Sequence, residues 1–223
     1  MTKNLFLQAL TKFVIGLAIV MVLLFVPAST LSYWQAWLFI AVLFVPMFVV
    51  GLVLMSRNPE LLRKRLNAKE KEGEQRSVVV MSSLLFVAMF VVAGLNYRFD
   101  WWVLPAWLVI AAAVVFLLGY VMYAEVMREN VWLSRTVEVQ EHQQVVDTGL
   151  YGIVRHPMYT ATLILFLAMP LVLASPWSFV MMLLYVPIVV KRIHNEEEVL
   201  LQELCGYREY IQRVRYRLVP LIW

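Results

Sequence analysis

Four stretches of this chain carry no formal charge, and their lengths decide what it can fold into. They run from Phe13 to Ser56, Ser77 to Tyr97, Trp101 to Ala124 and His156 to Val190, with histidine taken as neutral. A helix needs roughly 20 apolar residues to cross the hydrocarbon of a bilayer. The first stretch is therefore long enough for two spans, with a turn at Pro27-Ala28-Ser29-Thr30-Leu31-Ser32, and the next two hold one span each. Read as one helix, the fourth would reach ~52 Å, against the ~30 Å that a single span requires. Pro170 and Ser175-Pro176 stand near its middle, so two short helices folded into a hairpin are expected. The expected fold class is an all-α polytopic membrane protein. It has about six membrane helices, the last two a short helical hairpin, and a C-terminal cytoplasmic helix. Five spans plus one broken helix is the alternative count.

Composition agrees with this reading. The chain is 62% hydrophobic and 15% charged, where soluble domains hold about 45–50% apolar and about 25% charged residues. The N-terminal apolar stretch runs too far, and lacks the small-residue cleavage site, to be a removable signal peptide. Of the 19 Lys and Arg residues, all but Arg98 fall in the N-terminal tail, Arg57–Arg76, Glu125–Arg155 or the tail from Lys191 onward. The positive-inside tendency then places both termini and both long polar segments on the cytoplasmic side of the cell's inner or plasma membrane. The net charge of +4 reflects that topology and contact with anionic membrane lipids. No soluble basic domain stands apart, which argues against a nucleic-acid partner. Cys205 is the only cysteine, so an intrachain disulfide and a multi-cysteine metal site are excluded.

Two portions are distinguished. Residues 1–124 read as a four-helix membrane scaffold, with Trp34, Trp37, Trp101, Trp102 and Trp107 as an interfacial aromatic belt. Residues 125–223 read as the functional core. Within the first polar segment a short interfacial helix is expected after Pro59, with Leu61, Leu62 and Leu66 towards lipid and Arg63, Lys64 and Arg65 at headgroups. Lys69 to Arg76 reads as a mobile loop. The β-branched residues of Glu125–Thr148 suggest a short strand pair or an irregular cap, ending in the turn Asp147-Thr148-Gly149. Asn195 to Val214 reads as a helix interrupted near Gly206, with Leu200, Leu201, Leu204, Tyr207, Tyr210 and Ile211 at helical spacing. Arg215 to Trp223 is expected to lie along the membrane interface.

Chemistry concentrates at the two ends of the last uncharged stretch. Tyr151, Val154, Arg155, His156, Pro157 and Tyr159 stand before it, and Arg192, Glu196 and Glu197 follow it. A hairpin brings both groups to one membrane face, where so many polar side chains are costly unless they are paired or bind something. Pro157 suits the first position of a helix, and the backbone N–H groups there, with the helix dipole, favour an anionic group. Arg155 and Arg192 can grip a carboxylate in bidentate fashion. Glu196 and Glu197 can hold an amino group, ribose hydroxyls or a sulfonium charge, and Tyr151 and Tyr159 can pack on a purine ring or a cation. Simple pairing of Glu196 with Lys191 or Arg192 at a helix end is the plainer reading. His142 and His194 show no ligand-like spacing to His156, so no metal is expected.

The run Gly149 to Tyr159, the hairpin, Arg192-Ile-His-Asn-Glu-Glu197, Gly206-Tyr-Arg-Glu-Tyr210 and Arg215-Tyr-Arg-Leu-Val-Pro220 together resemble the isoprenylcysteine carboxyl methyltransferase family, which shares its C-terminal signature with the phospholipid methyltransferases. The resemblance covers roughly residues 145–223, and Asn58-Pro-Glu-Leu-Leu62 is similar to a segment of the family's bacterial members. It implies S-adenosylmethionine as methyl donor, held by Tyr151, Val154, Arg155, His156, Pro157, Tyr159, Glu196 and Glu197. It also implies that Arg192 meets the acceptor's carboxylate, with Arg155 and Glu197 completing the catalytic set. Thr160-Ala161 departs from the glycine that often follows the tyrosine.

The implied activity is transfer of a methyl group to a lipophilic small-molecule or lipid-anchored acceptor entering from the bilayer, with carboxyl O-methylation first. A carboxylate is ionised near neutral pH and needs no general base, so catalysis reduces to positioning in a water-poor site. An amine acceptor, as in phospholipid N-methylation, must lose a proton, and Glu197 or a tyrosine is the candidate helper. A non-catalytic transport or assembly protein is the reading from another class.

Overall fold

The computed structural model describes residues 2–66, 73–133 and 139–223, and the regular secondary structure among them is all helical. Helix α1 spans Thr2–Ala28 and α2 spans Trp34–Arg57, joined at the expected turn, where Ser29 takes a left-handed conformation with φ of 55°. A short α3 (Pro59–Leu66) follows, then α4 (Gly73–Phe99) and α5 (Ala106–Glu129). A 3₁₀ turn at Gly149–Gly152 leads into α6 (Pro157–Val172). Helices α7 (Pro176–Met182), α8 (Tyr185–Glu203) and α9 (Tyr207–Arg213) complete the order.

Five helical segments are long and apolar enough to cross a membrane: Asn4–Ala28, Trp34–Arg57, Val79–Phe99, Ala106–Glu129 and Pro176–Glu203. The shorter apolar Pro157–Val172 forms the first arm of the hairpin. The fold is thus the all-α polytopic membrane protein that the uncharged stretches require. Ala174, with φ of 56°, and the Ser175 cap on α7, whose Oγ accepts from the Ser178 N–H, turn the chain between the hairpin's arms.

The bundle packs on small residues set against aromatic rings. Ala36, Ala93, Ala112, Ala113 and Ala168 lie in one buried cluster with Phe39, Phe116, Met169 and Met182. Helices α5 and α6 make the closest pairing, and Gly119 explains how: a Cβ there would stand 3.1 Å from Ile164 and Leu165 of α6. Small interfacial residues let membrane helices approach in this way. Buried and part-buried hydroxyls tie helices to backbone carbonyls of their neighbours, which suits a membrane interior. Tyr33 donates to Leu173 O at 2.6 Å, Tyr120 to Leu43 O at 2.9 Å and Ser178 to Met89 O at 3.0 Å. Trp34, Trp37, Trp101, Trp102 and Trp107 are all exposed, which suits a belt at the interface.

Several local expectations change. Leu62 does not face lipid; it is buried, and with Leu66 it lines an apolar cavity against Phe13 and Phe48. The Lys12 ammonium donates to Leu66 O and fastens α3 to α1. Gly73–Arg76 belong to α4 rather than to a loop, while residues 69–72 lie outside the described residues. Glu125–Glu129 continue α5, and the remaining described part of Glu125–Thr148 forms turns and irregular chain, closer to a cap than to a strand pair. Charge marks where a chain can leave hydrocarbon, but a helix continues past that point when its backbone bonds permit.

Candidate functional site

Helices α6 and α8 set the geometry. α6 begins at Pro157, whose missing N–H falls where a helix has no acceptor for it. α8 is apolar up to Val190 and then presents Lys191, Arg192, Glu196, Glu197 and Glu198 without a break in its helix. Val189 and Ile193 of α8 are buried against Tyr159 and Leu163 of α6, together with Leu218 of the tail. This packing fixes the register between the two polar groups.

Of the three consecutive glutamates, Glu197 is buried, Glu196 is partly buried and Glu198 is exposed. Glu197 Oε1 accepts from Arg155 Nε at 2.8 Å and lies 3.1 Å from His156 Nε2. Its Oε2 accepts from Arg217 Nε at 2.8 Å. One carboxylate is therefore held by three nitrogens, and the Arg155 side chain is only 10% exposed. Glu196 is linked differently. Arg192 Nε donates to the Tyr159 hydroxyl at 2.9 Å, and that hydroxyl donates to Glu196 Oε2 at 2.6 Å. The second Glu196 oxygen lies 4.0 Å from His156 Nδ1. Tyr159 thus joins Arg192 to the acid one turn further along α8.

The C-terminal tail completes the site, and this was not expected of residues assigned to the membrane interface. The Arg155 and His156 N–H groups donate to Tyr216 O and Arg217 O, both at 2.9 Å. The two backbone donors that lead into α6 are therefore taken by the chain itself. Thr160, where the resemblance leads one to expect glycine, donates from Oγ1 to Leu218 O at 2.8 Å. Arg155 Nη1 reaches Arg215 O at 3.1 Å, and the Arg217 guanidinium stacks 5.1 Å from the Trp223 ring.

Tyr151 and Val154 are buried behind this cluster. The Tyr151 hydroxyl accepts from Asn130 Nδ2 at 3.0 Å, and its carbonyl accepts from the Tyr210 hydroxyl at 2.8 Å. Both residues brace the turn ahead of α6 against α5 and α9. Gly206, with φ of 83°, makes the left-handed break that lets α9 fold back, and Leu204, Tyr207, Tyr210 and Val214 bury together with Leu200, Leu201 and Ile211.

The structure therefore gathers Arg155, His156, Tyr159, Arg192, Glu196 and Glu197 at one end of the hairpin. Arg217 and the tie from Thr160 to the tail were missed. The first lay within the quoted motif Arg215-Tyr-Arg-Leu-Val-Pro220, which was the available signal; nothing in the sequence announces a backbone pairing between residues 155–156 and 216–217. Among the described residues no group of three or more His, Cys, Asp or Glu side chains is arranged to hold a metal ion.

The donor set suits a zwitterionic cofactor. Glu196 is partly exposed and its Oε1 lies 4.0 Å from His156 Nδ1, so it can accept from an ammonium or a ribose hydroxyl. Three guanidinium groups nearby offset the two acids and can meet a carboxylate.

Residues 105–208 match the model of the phospholipid methyltransferase family. In structure the chain is similar to a eukaryotic intramembrane Ras methyltransferase, isoprenylcysteine carboxyl methyltransferase, with a TM-score of 0.59 at 19% identity over 96% of this chain and 77% of that one. That likeness is one of fold. In sequence it is 31% identical over 91 residues, 40% of the chain, to a delta(14)-sterol reductase from Mus musculus. The match spans 22% of that curated relative's length, about a fifth.

Proposed function

We propose a donor and an acceptor for a chain whose residues 105–208 match the model of the phospholipid methyltransferase family. In this reading residues 125–223 bind S-adenosylmethionine and pass its methyl group to a lipophilic acceptor that enters sideways from the bilayer. The observation that carries it is the buried Glu197 carboxylate held by Arg155, His156 and Arg217 at the mouth of a membrane hairpin, with Glu196 and Arg192 beside it.

Tyr151, Val154, Arg155, His156, Pro157, Tyr159, Glu196 and Glu197 form the cofactor side in this proposal. Glu196 receives the ammonium or ribose hydroxyls, while Glu197 keeps Arg155 and His156 in place. Bound there, S-adenosylmethionine supplies an electrophilic methyl on a positively charged sulfur. Arg192, oriented through Tyr159, holds the acceptor's carboxylate, and Arg155 adds positive charge. A carboxylate arrives ionised, so the protein's work is alignment and exclusion of water. Carboxyl O-methylation of an isoprenylcysteine-like group fits these roles.

A second reading, N-methylation of a phospholipid amine, is favoured by the description of the matched family. There Glu196 or Glu197 takes the proton that the amine must lose. In both, the distribution of Lys and Arg puts the site and both termini on the cytoplasmic face.

Calorimetric titration of the purified protein with S-adenosylmethionine tests the donor. Saturable binding that Glu197→Ala abolishes in folded protein is expected, and absence of binding to folded wild type refutes the reading. Mass spectrometry of membrane lipids and small lipophiles, with and without the protein, identifies the acceptor by one added methylene. An ester product selects the first reading and a methylated amine the second.

A further inference from the structure

Among the described residues, three buried side-chain polar atoms have no hydrogen-bond partner: Gln35 Oε1, Asn96 Oδ1 and the Tyr207 hydroxyl. Gln35 and Asn96 lie near the Tyr33 end of the bundle, where Tyr33 reaches Leu173 at the far end of α6 from Pro157. Tyr207 lies at the other end, at the start of α9, directly after the Gly206 turn. The residue is 4% exposed and packs against Leu204, Tyr210 and Val214.

Leaving a buried hydroxyl without a partner is destabilising, and phenylalanine would fill the same space without that cost. The neighbouring Tyr210 shows the ordinary solution, donating to Tyr151 O at 2.8 Å. Tyr207 has none, and the charges that act most strongly on its hydroxyl are those of Glu197, Glu196 and Arg155, the residues of the candidate site. Burial, then these two acids, hold the phenol well above its usual pKa, so near neutral pH it is a protonated donor. A donor kept dry beside acids and a guanidinium, and bonded to none of them, is arranged for an acceptor from outside the chain.

We propose that Tyr207 is a cofactor-binding residue whose hydroxyl donates to an oxygen of bound S-adenosylmethionine. The assignment rests on the cofactor reading above and adds to it a residue from α9, a helix to which that reading gave no ligand. It also gives α9 a reason to fold back against α8: the left-handed Gly206 break packs Tyr207 in one cluster with Leu200 and Leu201, one turn along α8 from Glu197.

Tyr207→Phe is the test, read by calorimetry with S-adenosylhomocysteine, which carries the same oxygens, and by thermal unfolding without ligand. The expected result is an affinity about tenfold weaker, the order of one buried hydrogen bond, with ligand-free stability unchanged or raised. Unchanged affinity overturns the assignment, because the hydroxyl then does nothing for the ligand. A marked loss of ligand-free stability also overturns it, since the hydroxyl would then serve the fold. If wild type binds and the variant binds equally, this inference alone fails. If folded wild type binds neither S-adenosylhomocysteine nor S-adenosylmethionine, the cofactor reading fails and takes this inference with it.

Discussion

Arg217 Nε stands 2.8 Å from the Glu197 carboxylate, so a residue of the C-terminal tail closes the ion cluster at the mouth of the membrane hairpin. Glu197 then has a charge partner on each side: Arg155 ahead of α6 and Arg217 beyond α9. The same carboxylate therefore holds three segments together, and in the proposed function its loss affects the ligand as well as the fold.

Glu197→Ala leaves Arg155 buried beside an absent partner. Breaking a buried pair in this way costs about 3–5 kcal/mol. The expected outcome is a large drop in the detergent-solubilised unfolding temperature. Glu197→Gln keeps the shape and is expected to lose less stability while still losing cofactor affinity. Differential scanning fluorimetry beside calorimetry separates the two effects, and equal behaviour of the two variants would contradict this account.

Thr160→Val removes the hydroxyl that fastens the tail at Leu218 O without changing the side chain's size. A loss of about 1 kcal/mol is expected for one net hydrogen bond. The tail should then detach more often, so trypsin should cut at Arg215 and Arg217 faster than in wild type. A cleavage rate equal to wild type would show that backbone pairing at Arg155 and His156 suffices.

Tyr159→Phe breaks the link from Arg192 to Glu196. In the proposed reaction this loosens the acceptor-facing arginine, so KM for the acceptor should rise more than that for the donor. Combined with Arg192→Ala, the two losses should be far from additive, because both remove the same link. Additive losses would place the two residues in separate tasks.

Tyr33→Phe acts far from these residues. It deletes the buried bond to Leu173 O and should cost about 1 kcal/mol of stability, while cofactor affinity measured by calorimetry stays at the wild-type value. A fall in affinity would couple the two ends of the bundle.

The membrane spans could be read from the sequence because hydrocarbon forbids charge, and lengths of uncharged chain translate directly into helices. The turn at Ser29 and the break at Gly206 were legible for the same reason that proline and glycine punctuate any helix. Arg155, His156, Tyr159, Arg192, Glu196 and Glu197 were legible as a group because the hairpin could bring them to only one face. The tail's return was not. Two backbone hydrogen bonds from Arg155 and His156 leave no trace in side-chain composition, and Arg217 looks like any interfacial cation until its partner is seen. The end of α5 and the start of α4 were misjudged because charged residues such as Glu125 and Arg76 are good helix formers that also mark membrane exits.

The tail's anchorage also orders events in time. A ribosome delivers Arg155 before Glu197 and Glu197 before Arg217, so a nascent chain with all its spans inserted still holds a half-neutralised carboxylate. Closure waits until residues 215–218 have been made. A product lacking residues 215–218 would keep the membrane helices but leave the Arg155 and His156 amides, and one oxygen of Glu197, without their tail partners.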